Sequence, residues 1–155
     1  MSKTQPASKA IQMAERLCRE RGVRLTNQRR DVLAAISAST RPLGAYDIME
    51  ALREKQPKIA PPTVYRALDF LQAEGLVHKL ESLHAYVGCQ HPDHPHFSQF
   101  LICNDCGDVD ELHSAGVTGS LDDAAHARGF EPDHRTIEVV GRCARCLAQG
   151  NKPAP

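Results

Sequence analysis

An α+β chain of two small domains is what this sequence predicts: an N-terminal winged helix-turn-helix domain followed by a small α/β domain. Three observations predict it. Apolar residues recur at helical spacing through the first half, two short strand-like runs follow, and four cysteines in two pairs punctuate the second half. With 155 residues, no tryptophan and 41% hydrophobic residues, two small cores fit better than one large core, provided one of them is stapled by a metal.

The elements follow in order. From Ser8 to Arg21, Ile11, Ala14, Leu17 and Cys18 recur at helical spacing, so Cys18 reads as a core residue, and Gly22 ends the pattern. Thr26 is expected to cap a second helix that buries Val32, Leu33 and Ile36. Pro42-Leu43-Gly44 breaks the chain before a third helix, Ala45 to Lys55, with Ile48, Met49 and Leu52 inward. Gln56 to Pro62 is a proline-rich connection. A fourth helix runs from about Pro61 to Glu74, because proline is tolerated in a first helical turn. Its Val64, Leu68 and Leu71 face the core, and Gly75 stops it. Leu76 to Leu80 and Ala85 to Val87 are strand-like, with Glu81 to His84 as the turn that completes a wing.

After Gly88, the run His91-Pro92-Asp93-His94-Pro95-His96 lacks periodicity and reads as a hinge. The expected division is a DNA-binding-type winged helix over 1–88, a hinge over 89–96 and a second domain over 97–155. Within the second domain, Phe97 to Cys103, Val109 to Leu112 and Thr136 to Val140 are predicted strands, and Leu121 to Arg128 is a predicted helix.

Zero net charge conceals an asymmetry. Met1 to Gly88 carries 14 Lys/Arg against 9 Asp/Glu, whereas the remainder carries 5 against 10. A basic first half suits a polyanion; an acidic second half suits cations or a protein partner. No stretch approaches the roughly 20 consecutive apolar residues of a membrane span, and Met1 to Ala10 has no apolar h-region. A cytoplasmic protein with no membrane partner is expected. No P-loop, nucleophile elbow or His-Glu-x-x-His motif is visible. A metal-bound water would need an open coordination position and a general base, and neither is apparent, so no enzyme is expected.

The cysteine pairs are the strongest motif. Cys103-x-x-Cys106 is followed by Gly107, which suits a tight turn holding two sulfurs toward one ion, and Cys143-x-x-Cys146 supplies two more. Zinc takes four such ligands in a tetrahedron. The 37 positions from Cys106 to Cys143 exceed a compact zinc ribbon, so an independent segment must fit between the knuckles. Two disulfides are the alternative, and they need an oxidising compartment. A structural Zn2+ on Cys103, Cys106, Cys143 and Cys146 is predicted.

Three further pieces carry a resemblance. Arg24-Leu25-Thr26-Asn27-Gln28-Arg29, Pro62-Thr63-Val64-Tyr65-Arg66-Ala67-Leu68 and the knuckles together resemble the ferric uptake regulator superfamily. The run Pro61 to Leu71, Val77-His78-Lys79 and Tyr86-Val87-Gly88-Cys89 are most similar to its zinc uptake regulator branch. Prolines interrupt His91, His94 and His96, where iron-sensing members usually carry a denser histidine run. The resemblance implies a homodimeric, metal-dependent transcription factor: a repressor of zinc-uptake genes that dimerises through its second domain and binds a pseudo-palindromic operator in double-stranded DNA. Whether one or two dimers occupy an operator stays open. The rivals are an iron, manganese or peroxide sensor of the same superfamily and, from another class, a thiol redox switch at Cys89 or a knuckle. An isolated Cys89 with no resolving partner nearby speaks against the switch.

A second metal site is expected on His78, Cys89, His96 and Glu111, which brings the total to two Zn2+ per protomer. One thiolate, two imidazoles and one carboxylate make a good tetrahedral zinc set, and the soft thiolate favours zinc over iron or manganese. The same positions match the sensory site of the zinc branch. His91, His94, His113, His126 and His134 read as solvated or structural. For DNA, Thr63, Tyr65 and Arg66 lie near the start of the recognition helix, where side chains meet base edges. Arg66 suits bidentate bonding to guanine, and the resemblance adds Tyr46. Arg29, Arg30 and Lys79 suit phosphates. The alternative for Tyr65 is a place in the core.

Overall fold

A computed structural model describes residues 6–94 and 97–150. The chain divides into two compact units, Met1–His94 and Pro95–Pro155. In the first, α1 (Ala7–Glu20), α2 (Asn27–Ala38), α3 (Ala45–Leu52) and α4 (Pro61–Ala73) precede the hairpin β1 (Val77–Leu80) and β2 (Ala85–Gly88). Thr26 caps α2 as expected, its hydroxyl accepting from the Arg29 N–H at 3.3 Å. Asp47 reaches back to the Gly44 N–H at 3.2 Å and so caps α3. That helix ends three residues before the expected Lys55. Residues 53–55 form a turn instead, with Lys55 and Gln56 N–H both returning to the Leu52 carbonyl, because Pro57 biases the residue before it away from helix.

Pro61 and Pro62 occupy the first turn of α4. Their rings pre-set φ, and their missing N–H groups are ones a helix start leaves unpaired anyway. The helix ends in a Schellman motif: Gly75 N–H bonds to Gln72 O and Leu76 N–H to Leu71 O, each at 2.9 Å. Gly75 has φ +67°, a backbone that a β-carbon would strain. The chain therefore leaves α4 directly into β1. β1 and β2 pair antiparallel, His78 opposite Val87 and Lys79 opposite Tyr86, and Leu43 bridges to Tyr86 at the outer edge. One apolar core runs through all of this, from Ala14, Leu17 and Cys18 through Val32, Ile48, Val64 and Leu68 to Val77 and Tyr86. Burial pushes the Cys18 thiol upward, as befits a core residue.

The second unit contains β3 (Ser98–Cys103), β4 (Val109–Glu111), α5 (Ala115–His126), β5 (Thr136–Gly141) and α6 (Ala144–Ala148). Its sheet has the order β4-β3-β5, antiparallel on one side and parallel on the other, with α5 in the crossover. α5 begins six residues before the expected Leu121, because Ser114 caps it from the Val117 N–H; Gly116 and Gly119 had disguised that start. α6 was not expected. It is a single short helix held by the second knuckle, with Cys143 at its N-cap and Cys146 buried.

Candidate metal centre and nucleic-acid interface

The covalent spacing of the knuckles becomes geometry through two backbone devices. In the first, Gly107 at φ +72° closes a turn in which its N–H bonds to Cys103 O and Cys103 N–H bonds to Asp108 O. In the second, Cys143 stands two residues beyond β5, at the N-cap of α6, and donates its N–H to Cys103 Sγ at 3.3 Å. The parallel pairing of β3 and β5 sets Cys103 opposite Gly141, so the strands deliver both knuckles to one end of the sheet. All four sulfurs lie within 4.8 Å of one another. Zinc–sulfur bonds of about 2.3 Å at tetrahedral angles put sulfurs about 3.8 Å apart. Cys106 and Cys143 sulfurs are 3.8 Å apart, nearly twice a disulfide's roughly 2.05 Å, and all six cysteines are free thiols. The donor set fits a tetrahedral zinc and not a pair of disulfides.

The electrostatics agree. Backbone N–H groups, that of Cys106 foremost and Cys143 next, pull the Cys103 thiol down to about 6. The Asp108 backbone and then the Arg145 guanidinium lower Cys106. Cys146 is pushed up to about 12, first by burial and then by the neighbouring sulfurs. A dication relieves that mutual repulsion, and its binding must release the Cys146 proton. Two arginines that sequence reasoning missed brace the knuckles. Arg142 binds Asp105 at 2.9 Å, and Arg145 reaches Cys106 Sγ at 3.5 Å and Asp108 at 3.7 Å. The available signal was the opposite charge of the two knuckles, Asp105 in one and Arg142 and Arg145 around the other.

The remaining predicted ligands are distributed as follows. His78 lies in β1, and Cys89, just beyond β2, donates its N–H to the Leu76 carbonyl at 2.9 Å. That bond extends the hairpin by one residue, bringing a His78 ring nitrogen and Cys89 Sγ within 4.8 Å of each other. Glu111 ends β4, its carboxylate 3.9 Å from His113 Nε2. His96 lies outside the described residues. His94 pairs with Asp93, His126 with Glu131 and His134 with the Thr136 hydroxyl.

On the first unit, Tyr65 is 51% exposed and Tyr46 65%, so the alternative of a core Tyr65 does not hold. Arg66 is exposed and Thr63 half-buried on the first two turns of α4. Lys79 lies 3.4 Å from Glu81. Arg29 and Arg30, expected at phosphates, are engaged inside the unit. Arg29 stacks 3.6 Å over Phe70 and donates to the Arg24 carbonyl, and Arg30 pairs with Glu15 at 2.6 Å. Exposed along α3 and α4 are two tyrosines and an arginine, a set suited to aromatic and bidentate contacts with base edges, together with the acidic Asp47, Glu50 and Asp69. No helix among the described residues is long and apolar enough to cross a membrane.

The chain as a whole is similar to known proteins. The Ferric uptake regulator family model matches residues 20–140. The zinc uptake regulation protein of Escherichia coli is 45% identical over 138 residues, covering 88% of this chain and 81% of that protein. The peroxide operon regulator of Bacillus subtilis is 31% identical over 145 residues, covering 94% and 99%. Among solved structures, a zinc uptake regulator complexed with zinc and DNA superposes with a TM-score of 0.89 at 42% identity, covering 94% of this chain and 98% of that one.

Proposed function

Because this chain belongs to the ferric uptake regulator family, we propose that it is a zinc-responsive DNA-binding transcriptional repressor of zinc-uptake genes. It binds a pseudo-palindromic operator as a homodimer and carries two zinc ions per protomer. The observation that carries this reading is the pairing of a thiolate and an imidazole, Cys89 and His78, within one hairpin. A soft ligand in the sensing set selects zinc over the harder ions an iron or manganese sensor must hold. The greater identity to the zinc uptake regulation protein than to the peroxide operon regulator favours the same branch.

Two roles follow for two sites. Cys103, Cys106, Cys143 and Cys146 belong to one unit, and zinc there is part of that unit's folding. His78, Cys89, His96 and Glu111 are assigned to the regulatory zinc. When bound, that ion supplies one positive centre that all four side chains share. His78 and Cys89 belong to the first unit and Glu111 to the second, so satisfying it constrains segments that lie far apart along the chain. Zinc then shifts the population toward the DNA-competent state by its differential affinity for that state. Arg66 reads base edges with Thr63, Tyr65 and Tyr46 beside it, and Lys79 neutralises phosphate.

The test is a titration of operator binding against buffered free zinc, for wild type and Cys89→Ser. The expected outcome is a sharp zinc-dependent gain in the wild type, and a folded Cys89→Ser protein whose DNA binding ignores zinc. A Cys89→Ser protein with a full zinc response refutes the assignment.

A further inference from the structure

Two helices of the first unit end in the same way and at the same place. α1 closes, like α4, with a Schellman motif: Gly22 N–H bonds to Arg19 O at 3.2 Å and Val23 N–H to Cys18 O at 2.9 Å. The C-cap residues are Arg21 for α1 and Glu74 for α4. A helix C-terminus presents unpaired carbonyls and the negative end of its dipole, so two such ends side by side repel unless a cation stands between them. Arg21 is that cation. Its Nη1 donates to the Glu74 carbonyl at 2.6 Å and lies 3.4 Å from the Glu74 carboxylate.

The other arm of the same guanidinium goes elsewhere. Nη2 donates to the Pro92 carbonyl at 3.1 Å, three residues beyond Cys89. One rigid fork therefore ties the last carbonyl of the recognition helix to the segment that carries the regulatory thiolate. We propose that Arg21 is a positioning residue that couples the state of segment 89–94 to the seating of α4.

The inference rests on the regulatory role given to Cys89 above. When Cys89 is held by an ion, the residues after it lose freedom, and the ring of Pro92 removes more. The Pro92 carbonyl then stays where the guanidinium can meet it. An Arg21 fixed at one arm is fixed at the other, and the C-terminal turn of α4 is held. Arg66 stands two turns away on the same rigid helix, so a tilt at Glu74 moves its guanidinium across the base edges. With segment 89–94 free, the Pro92 arm is intermittent and α4 is held only by its own packing.

The test uses full-length protein and a duplex selected from a random-sequence library by zinc-loaded wild type. Affinity is measured at saturating free zinc and at buffered low zinc that leaves one zinc per chain. Arg21 is 36% exposed, so Arg21→Ala is expected to fold, with a melting transition lowered by the loss of the cation between the two helix ends. Its gain in affinity between the two zinc levels should shrink about tenfold, within the usual 5–150-fold span of coupling between sites. Arg21→Lys keeps the charge beside Glu74 but has no fork to span two carbonyls, and it should lose the gain likewise. Amide exchange over residues 72–76 should slow on zinc addition in wild type and not in either variant.

A variant that keeps the full gain overturns the coupling. So does a variant whose affinity drops equally at both zinc levels, since that is a merely structural loss. If Arg21→Ala does not fold, Arg21→Lys decides by the same criteria. A wild type whose DNA affinity ignores zinc refutes the regulatory reading itself, and the coupling with it. That outcome is distinct from a responsive wild type with responsive variants.

Discussion

The first unit buries sixteen residues in one continuous core, from Ala14 on α1 to Tyr86 on β2. In the second, Phe100 and Ile102 are the only fully hidden aliphatic or aromatic side chains among the described residues, with Cys103 and Cys146 beside them. The second unit instead exposes Leu101, Leu121, Phe130, Val139, Val140 and Leu147, and α5 buries no residue at all. A buried large apolar side chain contributes about 1.5–3 kcal/mol, so the first unit has ample material to fold by burial and the second does not. Under the proposed function the second draws on two other sources, a zinc ion held by its four cysteines and a second copy of the chain. On the proposed assignment, the difference teaches that metal in the second unit serves structure, while Cys89 at the end of the first unit serves sensing.

The strongest way to break that comparison is Cys103→Ser. Structural zinc is worth about 10–16 kcal/mol in small zinc domains, so this substitution should abolish both the dimer and the cooperative unfolding of the second unit. Sedimentation and circular dichroism would show it. A Cys103→Ser protein that remains a stable dimer would mean that the sheet stands without its staple. Next in size is the apolar face. Leu101 pairs with Val139 in the β3–β5 register, and both are exposed, as a dimer interface requires. Val139→Glu buries a charge if that face is the interface, at a cost of several kcal/mol, and should dissociate the dimer at micromolar concentration with zinc content unchanged. A Val139→Glu dimer of undiminished strength would move the interface elsewhere.

The smallest effects sharpen the first unit's side of the comparison. Arg66→Ala should weaken operator binding by about 1–3 kcal/mol and relax selectivity at one base pair, whereas Lys79→Ala should weaken every sequence alike and lower the salt slope by about 1. Competition with single-base operator variants at two salt concentrations separates them. An Arg66→Ala protein with the wild-type base preference removes Arg66 from the reading surface.

Legibility followed the range of the causes. α2 was readable because Thr26 and the three-to-four spacing of Val32, Leu33 and Ile36 are local, and the cysteine knuckles because the distance between sulfurs is set within four residues. The start of α5 was obscured by Gly116 and Gly119, whose low helix preference is overruled by the Ser114 cap. α6 has no pattern of its own and exists because Cys146 must turn inward. Long arginines were the least legible. Arg29 and Arg30 looked like phosphate ligands from sequence, yet Phe70 and Glu15, both distant along the chain, claim them. Arg21 reads from sequence only as the end of the first helix, since nothing local reveals that two helix ends converge on it.

The two prolines that open α4 have a consequence for how such a protein diversifies. A helix start ordinarily offers its first N–H groups to a phosphate, which lends grip without regard to base sequence. Pro61 and Pro62 withdraw two of those groups and the Thr63 N–H is turned back to the Ala60 carbonyl at 3.0 Å, so in the proposed complex α4 would grip DNA mainly through side chains. If Arg66 and its neighbours read bases as proposed, they are thereby separable from the groups that hold the backbone of the duplex. Substituting them would then re-address the protein to a new sequence while leaving its hold on DNA in general largely intact. A lineage can drift from one set of target sites to another by single replacements along one exposed stripe.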